Sequence, residues 1–203
     1  MQPFITNLHQ KSSDKKMLTR DPKLKIDEAH LIQQCQQGNL DAFKSLYELH
    51  KHRIYNIAYR IHGDHEDAQD SVQDAFVVIY KKINSFRGDS AFSTWFYRIV
   101  VNTCLNNIRK SKTKKDRVDL CDSDYLAAEA IYDKNQPLEV ILDEEIQNLP
   151  PGYRAIFVLY EIEGFSHQEI SKMLNKSVGT SKSQLHRAEQ LLQKRLKPYL
   201  AHI

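Results

Sequence analysis

Gly164–Leu196 reads GFSHQEISKMLNKSVGTSKSQLHRAEQLLQKRL, and the fold is decided here. Ser166-His167-Gln168-Glu169 has the S-x-x-E spacing of a capping box, in which the serine and glutamate satisfy each other's backbone N–H at the start of a helix. Ile170, Met173 and Leu174 supply the apolar stripe of that helix. Asn175-Lys176-Ser177 can make a tight turn, and a longer helix follows from near Ser177 or Val178. Two helices joined by so short a turn form a helix-turn-helix. At 100° per residue, Val178, Ser181, Leu185, Ala188 and Leu192 share one side of the second helix, and Gly179, Lys182, Ser183, His186, Arg187 and Gln190 share the other. The first set packs on the preceding helix. The second is basic and rich in hydrogen-bonding groups, as suits entry into a major groove, although a merely solvated helix face would carry similar residues.

Outward from this segment, composition points the same way. The chain has 203 residues, 27% of them charged and 9% aromatic, with six glycines and six prolines. Few turn formers and long runs of helix-favouring residues predict an all-α protein. The net charge of +3 and pI of about 8.6 are only mildly basic, so the distribution of charge matters more than its sum. Cys35, Cys104 and Cys121 are far apart and odd in number, which argues against a disulfide framework and for a reducing compartment. No apolar run approaches the roughly 18 residues of a membrane helix. Residues 1–25 hold no apolar signal-peptide core. The expected location is the cytoplasm, without membrane insertion.

The expected organisation is two helical domains joined by a flexible acidic linker. Residues 1–26 are polar and aperiodic and read as a flexible tail. Residues 27–115 are dense in helical periodicity, with Gly38, Gly63 and Gly88 at helix ends or turns, and read as about four helices. This domain ends in the basic run RKSKTKKDR, Arg109–Arg117. Residues 116–136 turn acidic, with Asp119, Asp122, Asp124, Glu129 and Asp133, and read as the linker. Pro137 reopens the helical pattern as a first helical residue, and residues 137–203 form the helix-turn-helix domain.

Two features of the N-terminal domain bear on function. Asp64 can cap a helix running from His65 to about Asn84, whose buried stripe is Ala68, Val72, Ala75, Ile79 and Ile83. Asp67, Asp70 and Asp74 project from the opposite face, with Val77 beside them. The helix dipole accounts for Asp67, but Asp74 lies too far along. Carboxylates repel phosphate, so this ridge suggests a protein partner with a basic surface. Further on, FRGDSAFSTWFYRIVVNTCLNNIR, Phe86–Arg109, places Phe96, Val100, Cys104 and Ile108 on one side of a helix and Trp95, Arg98, Asn102, Asn106 and Arg109 on the other. Aromatic, Asn and Arg side chains on one face suit stacking and hydrogen bonding to unpaired bases. Taken singly, Trp95 and Phe86 read more simply as core. The basic run that follows favours nucleic acid for the surface as a whole.

Three stretches together resemble bacterial sigma factors of the extracytoplasmic-function class, promoter-specificity subunits of RNA polymerase. They are Asp67–Phe76 (DAQDSVQDAF), Ser85–Asp89 through Thr94–Ile99 with Asn102 and Asn106, and Leu149-Pro150 through Glu163–Ile170 to Gly179–Ser183. The likeness spans about residues 27–197. It implies that residues 27–115 are a region 2-like domain that binds core polymerase and the −10 element. Residues 137–203 would be a region 4-like domain that binds the −35 element. Asp67, Asp70, Gln73 and Asp74 would dock on the clamp helices of the largest polymerase subunit. Phe86, Arg87, Trp95, Arg98 and Asn102 would serve −10 DNA and the capture of a flipped base. Lys182, Ser183, His186 and Arg187 would read −35 duplex. Core RNA polymerase, promoter DNA and an anti-sigma factor are the implied partners. The chain departs from the family pattern at Ser181, which breaks the buried stripe, and at Gln184 and Glu189, which make the reading helix less basic.

A stand-alone helix-turn-helix transcriptional regulator is the alternative, and it leaves the acidic ridge and aromatic loop without a role. A metalloenzyme is a third reading, since His62 and His65 lie three apart beside Glu66 and Asp67. It lacks a third ligand at usable spacing. No P-loop, GxSxG or nucleophile with an evident base is present. The expectation is a non-enzyme with no catalytic residue, no metal and no cofactor.

Overall fold

The computed structural model describes residues 22–115 and 137–200. They form α1 (Pro22–Gln36), α2 (Leu40–His62), α3 (His65–Lys82), a 3-10 turn (Ile83–Ser85), α4 (Phe92–Lys115), α5 (Leu138–Gln147), α6 (Pro151–Phe157) continuing into a π turn (Val158–Ile162), α7 (His167–Leu174) and α8 (Val178–Leu200). No strand occurs among the described residues. None of their helices is long and apolar enough to cross a membrane. The acidic segment expected as a linker lies outside the described residues.

Local chemistry sets the helix ends. The Asn39 side chain accepts from Asp41 N–H at 2.9 Å and Ala42 N–H at 3.1 Å to start α2. Asp64 accepts from Asp67 N–H at 2.9 Å to start α3. Between them Gly63, at φ 79°, closes α2 by donating to the Tyr59 carbonyl; a side chain here would be strained and would meet Gln147 at 3.4 Å. Three boundaries differ from expectation. Pro22–Ile26, read as tail, opens α1, because proline at a first helical position loses no needed hydrogen bond. Pro137 stands just before α5, one residue earlier than expected. α3 ends at Lys82, and the chain tightens into the 3-10 turn that leads to Phe86.

The N-terminal helices pack α2 against α3 and α4, with α1 along their edge. In the C-terminal group α6 and α7 pack on α8. Arg195 ties α8 to α5, donating to the Glu145 carboxylate at 3.3 Å and the Asn148 carbonyl at 3.2 Å. The two groups also touch each other: α4 lies on α7, and α2 on α5 and α6. At this seam Tyr97, 1% exposed, meets Phe165 with ring centroids 5.7 Å apart. The Arg53 guanidinium sits 4.9 Å over the Tyr97 ring and donates to the Glu163 carboxylate at 2.8 Å. Burial pushes the Tyr97 phenol up to about 12, so it stays neutral.

Candidate nucleic-acid interface

On α3, Ala68, Val72, Ala75 and Ile79 are buried, as is Ile83 just beyond the helix. That orientation leaves Asp67, Asp70, Gln73 and Asp74 exposed along one ridge. Val77 and Tyr80 extend it as exposed apolar residues. Asn107 of α4 holds the far end: its amide donates to the Asp74 carboxylate at 3.0 Å and to the Ser71 hydroxyl at 3.0 Å. Ser71 is fully buried and also meets His62 Nε2 at 2.8 Å. Asn107 was missed by periodicity, because an amide half-way round a helix gives no sign of its cross-helix partner. The His62 ring turns to Ser71, whereas His65 stacks on Tyr59 at 4.4 Å and pairs with the Tyr55 hydroxyl. The two rings thus have separate partners and do not converge on one point.

The loop after α3 and the outer face of α4 form a second surface. Arg87 and Arg98 are exposed. Phe86 and Trp95 are half-buried, with ring centroids 5.5 Å apart, and both lean on Phe92, at 5.2 and 5.8 Å. Each packs against the core and stays partly exposed. Asn102 is engaged: its amide donates to the Arg98 carbonyl at 2.7 Å and, across the seam, to the Met173 carbonyl at 2.9 Å. The loop carries one further attachment that sequence reasoning missed. Gln36, the last residue of α1, donates to the Ile83 carbonyl at 3.1 Å and the Phe86 carbonyl at 2.9 Å.

The third surface is the helix-turn-helix. Ser166 and Glu169 make both halves of the capping box. Asn175 takes the left-handed conformation at φ 51°, ending α7. On α8, Lys182, Ser183, His186 and Arg187 are exposed, while Leu185, Ala188 and Leu192 are buried. Ser183 donates to the Thr180 carbonyl at 3.1 Å, His186 meets Gln190 at 3.1 Å, and Arg187 donates to the Tyr153 hydroxyl at 3.1 Å. Ser181, which broke the apolar stripe, is fully buried, and its hydroxyl meets His167 Nδ1 at 2.9 Å. The His167 ring in turn stacks on Tyr160 at 4.3 Å. A buried hydroxyl with a partner costs little, so the departure is absorbed by packing inside the motif. Burial lowers the pKa of His167, Lys182 adding to the effect and Glu189 opposing it. Gln184 accepts from the Lys176 ammonium at 3.2 Å. It is thus spoken for within the turn.

The surfaces lie in chain order: an acidic ridge, an aromatic and amide-bearing face beside it, and the basic exposed face of α8. The family model described as sigma-70 region 2 matches residues 46–114, and that described as sigma-70, region 4 matches residues 139–192. The RNA polymerase sigma-H factor of Pseudomonas aeruginosa is 33% identical over 195 residues, covering 91% of this chain and 98% of that protein. The ECF RNA polymerase sigma factor SigW of Bacillus subtilis is 33% identical over 177 residues, covering 82% and 95%. Among solved structures, the sigma factor RpoE in complex with the anti-sigma factor NepR from Bartonella quintana superposes with a TM-score of 0.59 at 26% identity, over 76% of this chain and 96% of that one. CnrH in complex with the cytosolic domain of CnrY, at 24% identity and a TM-score of 0.61, covers 85% and 98% and shares the fold.

Proposed function

This chain belongs to the sigma-70 family of RNA polymerase subunits, in its extracytoplasmic-function class, and from that premise we propose how its three surfaces divide the work of starting transcription. As a sigma subunit it binds core RNA polymerase, recognises promoter DNA and helps to open it. The family is a non-catalytic specificity subunit, so the chemistry of RNA synthesis is the core's. The protein works in the cytoplasm, where the polymerase and its template are.

Asp67, Asp70, Gln73 and Asp74 dock on the clamp helices of the largest polymerase subunit. Their shared exposure supports this, because a carboxylate ridge attracts a basic protein surface and is repelled by phosphate. Lys182, Ser183, His186 and Arg187 enter the major groove of the −35 element. Phe86, Arg87, Trp95, Arg98 and Asn102 take up the −10 element. Reading one of its bases by stacking requires extruding it, and an aromatic platform with an amide offsets part of that unstacking cost. The solved relative bound to an anti-sigma factor supports control of this chain by such a partner.

The observation that carries the reading is the presence, on one chain, of an exposed carboxylate ridge next to a half-buried aromatic and amide-bearing face and apart from an exposed basic face on the second helix of a helix-turn-helix. The test is transcription of genomic DNA by purified core polymerase with and without this protein, followed by sequencing of the 5′ ends. New start sites that share two upstream elements are expected. Binding of the chain to duplex DNA with no association with core polymerase would favour the stand-alone regulator instead.

A further inference from the structure

We propose that Gln36 is a positioning residue for −10 recognition: from the end of α1 its amide holds the two backbone carbonyls that fix where the Phe86-Arg87-Gly88 loop leaves the domain. This rests on the assignment of that loop and of Asn102 to the −10 element.

A glutamine amide nitrogen has two N–H groups, and here both are used. One goes to the Ile83 carbonyl at 3.1 Å, the other to the Phe86 carbonyl at 2.9 Å, across 47 and 50 residues of sequence. The orientation of the amide is not arbitrary. An oxygen in place of Nε2 would face two carbonyl oxygens, and the network assigns the nitrogen there. The two acceptors bracket the 3-10 turn, whose own closing bond runs from Phe86 N–H to the same Ile83 carbonyl at 3.1 Å. Gln36 therefore clamps the turn at its first residue and just past its last.

Beyond the clamp the loop has little to hold it. Arg87, Gly88, Asp89, Ser90 and Ala91 are all exposed, and Gly88 takes φ 81°. The Phe86 ring rests on Phe92 and Trp95. A ring contact limits distance but leaves the backbone free to swivel, whereas two directional hydrogen bonds set its course. α1 is itself well anchored. Ile32 and Cys35 are buried, and Glu28 meets His50 at 3.0 Å. The His50 ring lies 4.8 Å from that of Phe96 on α4. The clamp therefore ties the loop to the same packed frame that carries Asn102, so that platform and amide keep a constant relation. Once the Asn102 amide has left the Met173 carbonyl, a base meets a loop and an amide whose relation is already fixed, and less conformational freedom is lost on capture.

The test uses holoenzyme reconstituted with full-length chain on a promoter library randomised through the −10 element. Promoter opening is read by permanganate footprinting and base preference by sequencing transcripts. Gln36→Glu keeps the length and removes both donors. It should lower opening of matched duplex roughly fivefold, the scale of a lost hydrogen bond, and flatten preference at the position the loop reads. That flattening should persist on templates already mismatched through the −10 segment, while association with core polymerase and binding to −35 duplex stay at wild-type strength. Gln36→Lys restores N–H donors and should recover most of the preference. Should Gln36→Glu fail to fold, Gln36→Met, of similar length without donors, takes its place. Wild-type preference in the donor-less variant overturns the proposal, as does an equal loss in Gln36→Lys. Asn102→Ala is run in parallel. If it alone shifts −10 preference, only the role of Gln36 is wrong. If neither variant shifts it, the −10 assignment of the whole surface fails.

Discussion

The exposed face of α8 and the outer face of α4, the two surfaces proposed to read DNA, stand in different states. On α8, Lys182, Ser183 and His186 point outward and make at most contacts within their own helix. On α4, Asn102 is spent on the Met173 carbonyl of α7, and Phe86 and Trp95 are half sunk against Phe92. The physical reason lies in the end of α7. The last carbonyls of a helix have no partner within it, and the Asn102 amide satisfies one of them. The difference teaches that the surface proposed for duplex DNA stands ready on an exposed helix face, whereas the surface proposed for a single base is partly covered by the chain itself. For the Asn102 amide N–H groups to meet a base, the bond to the Met173 carbonyl must break.

The most severe way to break this comparison is to remove what both surfaces depend on. Asp70→Lys with Asp74→Lys should abolish association with core polymerase in a pull-down, and with it all promoter opening, while isolated −35 duplex binding persists. Stability should change by no more than about 1 kcal/mol, since these are exposed residues and only the Asn107 bond is lost. Undiminished core binding by the folded variant would remove the docking assignment.

Asn102→Ala strikes only the covered surface. Opening of a matched promoter should fall roughly tenfold, and less on a template already mismatched there, because unstacking is then cheaper. Base preference at one −10 position should change as well. If the matched promoter opens normally with unaltered preference, Asn102 serves α7 alone.

Lys182→Ala strikes only the open surface. It should weaken −35 duplex binding by a few-fold, evenly across sequences, and reduce the salt dependence by about one phosphate contact. A loss confined to one base pair would make Lys182 a base reader instead. Ser181→Ala sharpens the same side from within. It leaves His167 without its partner and should cost about 1 kcal/mol in chemical denaturation, with −35 affinity unchanged. A fall in affinity without a fall in stability would show that Ser181 reaches DNA.

The smallest effect is on pH. His62 titrates below its ordinary value of 6.5, first because of burial, with Asp67 opposing, Arg154 reinforcing and Asp64 opposing. The unfolded chain therefore binds the proton more readily. This contribution to stability is present above 6.5 and is lost as pH falls through 6.5 toward the folded value. The melting temperature should decline as pH is lowered through 6.5, and His62→Gln should flatten that decline. Arg154 belongs to α6, so an equal slope in a variant that separates the two groups would show that the seam plays no part.

Much of the fold was legible because its signals are local. The Ser166–Glu169 capping box, the Asp64 cap and the buried stripe of α3 depend on spacings of three and four residues, and each stands as read. The exposure of the acidic ridge follows from the same periodicity. The start of α1 was hidden, because Pro22–Ile26 has too few apolar residues to show a period. Ser181 looked like a fault in the stripe, for a one-dimensional pattern cannot show that His167 lies opposite it.

The sequence by itself determined the helices, the faces they bury, the three candidate surfaces and the family, since all of these rest on residue type and short spacing along the chain. Only the tertiary structure decided which polar groups meet across long separations: Gln36 with the Phe86 carbonyl, Asn107 with Asp74, Asn102 with the Met173 carbonyl and Arg53 with Glu163. Such pairs leave no periodic trace. A side chain's partner depends on how helices dock, and docking is set by the summed packing of apolar faces, to which a single amide or guanidinium contributes little and then adapts.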